Sequence, residues 1–129
     1  RDRDVTGVQT CALPISGEPD HLAGLFEQAL AVEGLALVDV LQPCVSFNKV
    51  NTFKWYQERV YHLDDSHDPS DFAAALDKAQ EFGQRIPLGV LWRGERAAFS
   101  SHFAPLAAGP LYDQGVDRTA LEHVLEKYS

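Results

Sequence analysis

The sequence predicts an α/β protein built on a parallel sheet, and three observations carry that reading. Apolar residues recur at spacings of three and four from Pro19 onward, the period of an amphipathic helix. A short apolar run, Leu35 to Leu41, follows that helix directly, which suits a buried parallel strand. A second apolar run, Ile86 to Trp92, comes after two further helical segments, so helices and strands alternate along the chain.

Each element has its own justification. In the first helix Leu22, Leu25, Phe26, Ala29, Leu30 and Val32 form one stripe, and Gly34 stands where a left-handed residue ends a helix. The strand that follows should stop near Pro43, which has no amide hydrogen to give a ladder. Gln42 to Asn48 then reads as a loop beyond the carboxyl end of that strand. Asn51 or Thr52 can cap a second helix running to about Leu63, with Phe53, Trp55, Tyr56 and Val60 on it. The run 64–69 is a polar turn. Asp68 is the expected N-cap of a third helix, with Pro69 in its first position and Phe72, Ala75, Leu76, Ala79 and Phe82 as its stripe. Gly83 ends it. After the Ile86–Trp92 strand, Arg93-Gly-Glu95 offers a turn into a short antiparallel partner, Arg96 to Ser101. Ala104 to Gly115 is loop-like, and a last helix runs from Asp117 to about Lys127. Two strands and a possible third are few for a free-standing sheet, so the expectation is the end of a larger domain.

The first fifteen residues, RDRDVTGVQTCALPI, show neither helical nor alternating period. The stretch from Val5 to Ile15 resembles an in-frame translation of a sequencing-adapter oligonucleotide. Residues 1–15 are therefore expected to be a non-native segment outside the fold, which would leave Cys44 as the single native cysteine. The chain also contains no methionine, and so reads as a piece of a longer frame.

Bulk properties exclude several function classes. Eleven basic against nineteen acidic residues give a net charge of −8, which argues against nucleic acid, since phosphate backbones are held by clustered Lys and Arg. The longest apolar run, Gly34 to Leu41, falls well short of the ~20 residues that span a bilayer and carries Asp39, so no membrane contact is expected. No signal peptide is visible, and two cysteines are too few for a disulfide framework. A cytoplasmic location follows as the expectation.

Chemistry centres on Cys44. Ligands of open α/β sheets collect beyond the carboxyl ends of strands, and Cys44 lies there, behind a proline that fixes the backbone. From position alone the thiol can be a nucleophile, a metal or cluster ligand, or a packed small side chain. A nucleophile would need a neighbouring base, and no histidine is obviously placed to act as one. His62 and His67 bracket an acidic turn but lack an ordered ligand spacing, so they read as a solvated loop. Trp55, Tyr56 and Tyr61 read as core or interface packing, and Lys49, Lys54 and Arg59 as surface. No Gly-rich phosphate loop and no Gly-x-Ser-x-Gly elbow is present.

The run from Val38 to Tyr56, VDVLQPCVSFNKVNTFKWY, resembles a segment of the β subunits of 2-oxoacid:ferredoxin oxidoreductases. The likeness continues through Tyr56 to Tyr61 and His67-Asp-Pro69 to Arg85-Ile-Pro-Leu-Gly-Val90. That resemblance implies the C-terminal part of a thiamine-diphosphate-binding parallel-sheet domain plus a small C-terminal extension. Residues 16–50 would close the thiamine-diphosphate-binding domain and 51–129 would be the C-terminal region of the β subunit. It further implies a heteromeric enzyme with an α subunit, which decarboxylates a 2-oxoacid on thiamine diphosphate and Mg2+. The acyl group passes to coenzyme A, and electrons pass through a 4Fe-4S cluster to ferredoxin. Carried onto this sequence, the family's Pro-Cys motif makes Cys44 one of four cluster ligands, with Ser46 and Asn48 as neighbours able to support it. The thiamine-diphosphate and Mg2+ motifs would lie upstream. Val45-Ser-Phe-Asn48 is nearer to enzymes acting on 2-oxoglutarate or a broader 2-oxoacid range than to pyruvate-type relatives. The competing reading is a small stand-alone α/β interaction module in which Cys44 merely packs.

Overall fold

A computed structural model describes residues 8–115 and 117–128. They fall into two units, one ending at Ala97 and one beginning at Ala98.

The first unit is a four-stranded sheet with helices packed on it. Its strands are β1 (Val8–Leu13), β2 (Leu35–Val38), β3 (Val60–His62) and β4 (Ile86–Arg93), in the order β2-β1-β4-β3. β1 runs parallel to β2 and antiparallel to β4, and β3 runs parallel to β4, so the α/β class holds with a mixed sheet. Helices α1 (Pro19–Leu30), α2 (Phe53–Gln57) and α3 (Phe72–Gln80) connect the strands. The core is Ala12, Ile15, Leu25, Ala75, Ile86, Leu88 and Leu91.

β1 lies in the segment that the sequence reading set aside as non-native for want of any regular period. Val8–Leu13 occupies an interior position of the sheet, and Ala12 and Ile15 are core residues. Gln9 and Thr10 are buried there as well, so the strand is covered on both faces and shows no alternation in sequence. The Gln9 amide is held by the Arg96 carbonyl, and the Gly94 amide donates to the Gln9 carbonyl at 2.7 Å. The Thr10 hydroxyl is buried without a hydrogen-bond partner.

β2 is an edge strand rather than a buried one: Leu35 and Leu37 are about half exposed, because β1 pairs with one side of it only. α1 starts on Pro19, ends at Leu30, and is followed by a turn through Val32 to Gly34. Gly34, three residues beyond Ala31, has φ +153°, and the Gln9 side chain lies where its Cβ would be, so glycine serves a close approach to β1 here rather than the cap itself.

The second helix is shorter than expected. Thr52 caps it by accepting from the Trp55 amide at 3.4 Å, but it ends at Gln57, and Val60–His62 becomes β3. Two β-branched or aromatic residues, Val60 and Tyr61, pair with Ile86 and Pro87, and tertiary pairing overrides the helical spacing. α3 is capped by Asp71, which accepts from the Ala73 and Ala74 amides, and not by Asp68. Asp68 instead accepts from the Ser70 amide and hydroxyl in a local turn one step earlier. α3 packs on β4, with Phe72 edge-on to Trp92 at 6.0 Å between ring centroids.

β4 carries a proline in an interior strand. The Ile86 amide donates to Arg59 and the Leu88 carbonyl accepts from Leu63, so β4's alternate backbone groups face β3. Pro87 faces the other way, where β1 has already ended, since β1 pairs only with residues 89 to 93. No ladder hydrogen bond is lost. The expected antiparallel partner at Arg96–Ser101 is absent; Phe99–His102 forms a 3-10 turn, and β4's antiparallel neighbour is β1.

The second unit contains three 3-10 turns, Phe99–His102, Ala104–Ala108 and Leu111–Asp113, followed by α4 (Arg118–Lys127). Asp117 caps α4 as expected, accepting from the Thr119 and Ala120 amides. The Gln114 amide bridges the Pro105 and Gly109 carbonyls. No helix among the described residues is long and apolar enough to cross a membrane.

Candidate functional site

Parallel pairing carries the chain from β2 to the loop. The Asp39 amide donates to Ala12 and the Leu41 amide to Pro14, and Leu41 accepts from Ser16, all at 2.9 Å. Ile15 and Leu41 form a last parallel bridge. Pro43 is buried, and Cys44 emerges from it exposed and free of any disulfide. The loop thus leaves the sheet at the carboxyl end of β2, as the sequence suggested.

Local hydrogen bonds hold the loop in shape. The Asn48 amide closes a turn onto the Cys44 carbonyl at 2.9 Å. Asn48 Oδ1 accepts from the Val50 and Asn51 amides at 2.9 and 3.0 Å, and its Nδ2 donates to Asn51 Oδ1 at 3.1 Å. Lys49 Nζ reaches back to the Val45 carbonyl at 2.5 Å. Asn48 therefore shapes the backbone around Cys44, and Ser46 stands exposed on the turn. The apolar side chains of the loop face outward: Phe47 is 93 % exposed and Val50 72 %. A single exposed cysteine on a proline-fixed, hydrogen-bonded loop fits one cluster ligand; four thiolates make a full set.

Sequence reading missed a second cluster. Glu18 precedes α1, His21 lies in its first turn, and His62 ends β3. Glu18 Oε2 and His62 Nε2 are 2.8 Å apart, and the His21 and His62 rings meet edge-on with centroids 4.4 Å apart. Burial, and next the neighbouring His62, push His21 below its ordinary value of 6.5, while Glu18 pulls the other way. His67 is not part of this cluster. Its Nε2 contacts the Leu91 carbonyl at 2.8 Å, which ties the 64–69 turn to β4 instead of leaving it as a solvated loop. The i, i+3 spacing of Glu18 and His21 was readable, but His62 was expected on a helix, and that hid the convergence.

Beside these lies a polar cavity of about 390 Å³, whose lining includes Tyr61, His67, Asp71, Lys78 and Arg85. Lys78 donates to Glu81 at 2.6 Å and to Tyr61 at 3.0 Å, and Tyr61 donates to Glu81 at 2.6 Å. Arg85 stacks over the Tyr61 ring at 4.2 Å. These cations are engaged by the protein itself, so the cluster reads as a clasp between β3 and α3.

Residues 44–108 match the family model for the C-terminal part of the pyruvate ferredoxin oxidoreductase β subunit. The chain belongs to that family. The match begins on Cys44 itself. Among curated relatives, a 2-oxoacid:ferredoxin oxidoreductase β subunit of Sulfolobus sp is 36 % identical over 118 residues, covering 83 % of this chain and 37 % of the relative. The β subunit of 2-oxoacid:ferredoxin oxidoreductase 2 of Aeropyrum pernix is 39 % identical over 101 residues, covering 69 % of this chain and 33 % of the relative. A solved structure, 2-oxoglutarate:ferredoxin oxidoreductase from Magnetococcus marinus with 2-oxoglutarate, coenzyme A and succinyl-CoA bound, is similar with a TM-score of 0.74 and 27 % identity. That match covers 90 % of this chain and 40 % of the other. The chain therefore spans about a third to two fifths of the length of these oxidoreductase relatives.

Proposed function

We propose that this chain is the C-terminal part of the β subunit of a 2-oxoacid:ferredoxin oxidoreductase and that Cys44 supplies one ligand to its 4Fe-4S cluster. The observation that carries the reading is the coincidence of family and geometry at one residue: the family match starts at Cys44, and the thiol stands exposed at the carboxyl end of β2. Residues 16–50 close the thiamine-diphosphate-binding domain, and 51–129 form the C-terminal region of the β subunit. Held in part by Cys44, a cluster would supply one-electron transfer between the thiamine-diphosphate-dependent oxidative decarboxylation of a 2-oxoacid and ferredoxin, with the acyl group going to coenzyme A.

This chain's own residues do the positioning. Pro43 anchors the loop in the core, the Asn48 side chain fixes the turn that follows, and the amides after Cys44 are the donors closest to its sulfur in sequence. Donors near a cluster sulfur, and burial of the cluster, set its potential. Phe47, Val45 and Val50, exposed here, are the apolar contact surface for the rest of the enzyme, either the upstream part of the same subunit or the α subunit. The likeness to the Magnetococcus enzyme and the Val45-Ser-Phe-Asn48 wording both favour 2-oxoglutarate or a close 2-oxoacid over pyruvate. A free thiol at Cys44 suits a cytoplasmic setting.

The test is Cys44→Ser in the complete heteromeric enzyme. Iron content and visible cluster absorbance should fall, and 2-oxoacid-dependent ferredoxin reduction should be lost while the subunits still assemble. Unchanged iron and turnover would show that Cys44 only packs.

A further inference from the structure

We propose that Glu18, His21 and His62 form a binding site for one borderline divalent metal ion, of which Zn2+ is the type, linking the start of α1 to the end of β3. This goes beyond the oxidoreductase reading and rests on different residues.

The donor chemistry is that of a three-ligand zinc site, two imidazoles and one carboxylate, with a fourth position left for water. One ligand atom from each of Glu18, His21 and His62 can be chosen so that all three lie within 4.8 Å of one another. Tetrahedral bonds of about 2.0–2.2 Å place ligand atoms roughly 3.3–3.5 Å apart. Glu18 Oε2 and His62 Nε2, at 2.8 Å, are already closer than that, and a His21 ring nitrogen belongs to the same group of ligand atoms within 4.8 Å. The second observation is at His21: its Nδ1 is buried and has no hydrogen-bond partner. Buried polar atoms are paired in the great majority of cases, and an unpaired one calls for an ion, a water or a function. A neutral imidazole there offers its lone pair to a metal.

The scaffold supports convergence. Pro19 opens α1, with Glu18 at its N-cap and His21 in its first turn. His62 is held by the β3–β4 pairing through Leu88. The His62 side chain is 53 % exposed, against 36 % for Glu18, so the open fourth position faces solvent and the ion enters from that side. A metal here adds coordinate bonds to the Glu18–His62 contact and the His21–His62 ring contact that already link the start of α1 to the end of β3.

The experiment titrates the untagged 129-residue chain, carrying Cys11→Ser and Cys44→Ser to remove thiolate ligands, with Co2+ and then Zn2+. One equivalent of Co2+ should give the visible absorption of a tetrahedral nitrogen–oxygen site, and Zn2+ should displace it. Loss of a residue that merely orients a ligand costs about 10–100-fold in affinity, so His21→Ala and His62→Ala should each weaken binding by more than about 100-fold. His67→Ala should leave it unchanged. Circular dichroism checks that each variant folds. If one does not, ring resonances in the parent decide: Zn2+ should shift His21 and His62 but not His67, His102 or His123. Absence of one-to-one binding up to millimolar metal, binding unaffected by both histidine variants, or shifts at the other histidines would overturn the site. Because Cys44 is absent from the protein used, none of these outcomes bears on the cluster ligand.

Discussion

Ile15→Ala is the sharpest test of the fold, because Ile15 belongs to the segment whose sequence gives least sign of structure. The side chain is 3 % exposed and sits at the bridge to Leu41 that launches the Cys44 loop. Three carbons leave the core, worth about 2.4 kcal/mol at about 0.8 kcal/mol per buried methylene. The residual cavity adds to this, so the total belongs in the roughly 2–5 kcal/mol range of buried aliphatic truncations. A domain of this size is stable by about 5–15 kcal/mol, so the variant should stay folded but visibly weakened. Its thermal midpoint should drop by roughly 10 °C or more, at about 4–8 °C per kcal/mol. Urea unfolding followed by tryptophan fluorescence, to which Trp92, paired with Cys11 across β1 and β4, contributes together with Trp55, gives the free energy directly. The urea midpoint should move with the slope unchanged. Leu30→Ala, at an 85 % exposed position of α1, is the matched control and should stay within about 0.5 kcal/mol of the parent. If Ile15→Ala behaves like Leu30→Ala, β1 is not part of the folded sheet.

Three further outcomes follow from the same structure. Thr10→Val keeps the shape of a buried side chain and removes its unpartnered hydroxyl, so it should raise stability by about 1 kcal/mol or more in urea unfolding; a loss would mean that the hydroxyl is hydrogen-bonded. Asp71→Ala should cost about 0.5–2 kcal/mol by uncapping α3, and more than Asp68→Ala, whose carboxylate serves only a local turn; the reverse order would restore Asp68 as the cap. Burial first, and then the Asp39 carboxylate, push the Cys11 thiol above its ordinary value of 9.0. The native state therefore favours the neutral thiol. Its contribution is complete below about pH 9 and declines as pH rises through the folded value, and Cys11→Ser should remove that alkaline decline. Iodoacetamide at pH 8 should accordingly modify exposed Cys44 well before half-buried Cys11, and equal rates would contradict the burial of β1.

Legibility followed covalent and local physics and failed where tertiary contacts decide. α1, α4 and the Ile86–Arg93 strand were readable because a proline, an aspartate cap and an unbroken apolar run are local signals. The extent of α2 was not, since Val60 and Tyr61 fit helical spacing and strand pairing equally well until Ile86 and Pro87 lie beside them. β1 was hidden for a different reason. A strand covered on both faces normally reads as continuous Val, Ile and Leu, whereas Val8-Gln-Thr-Cys-Ala-Leu13 buries a glutamine and an unpartnered threonine hydroxyl. Its sequence is poorly matched to the place it occupies. The likeness of residues 1–15 to a translated adapter concerns the origin of the segment and is a separate matter from its position. At the site, the loop and Cys44 were visible through Pro43 and the family wording. The Glu18–His21–His62 cluster was not, because two of its members open α1 while the third closes β3, and only the return of β3 brings them together.

The division between what is covered and what is open bears on how Cys44 would work. Ile15, Leu25, Ile86 and Leu88 are shut into the unit, while Phe47 and Val50, on either side of Asn48 in the loop, are turned outward. Exposed aromatic and branched side chains are unfavourable in water, so a loop free to rearrange would fold them inward. This loop is restrained by the turn onto Cys44 and by the three hydrogen bonds of the Asn48 side chain, each worth about 0.5–1.5 kcal/mol in net terms. The position of the thiol is then set by this chain in advance, and a partner surface would close over a shape that already exists. On that reading Asn48→Ala should lower cluster occupancy in the complete enzyme without touching the ligand. Asn48→Asp, which keeps both amide-accepting contacts and loses only the donor to Asn51, should retain most of it. Iron content measured side by side in the two variants distinguishes a preorganised loop from one that the cluster itself would shape, for which both substitutions would be silent.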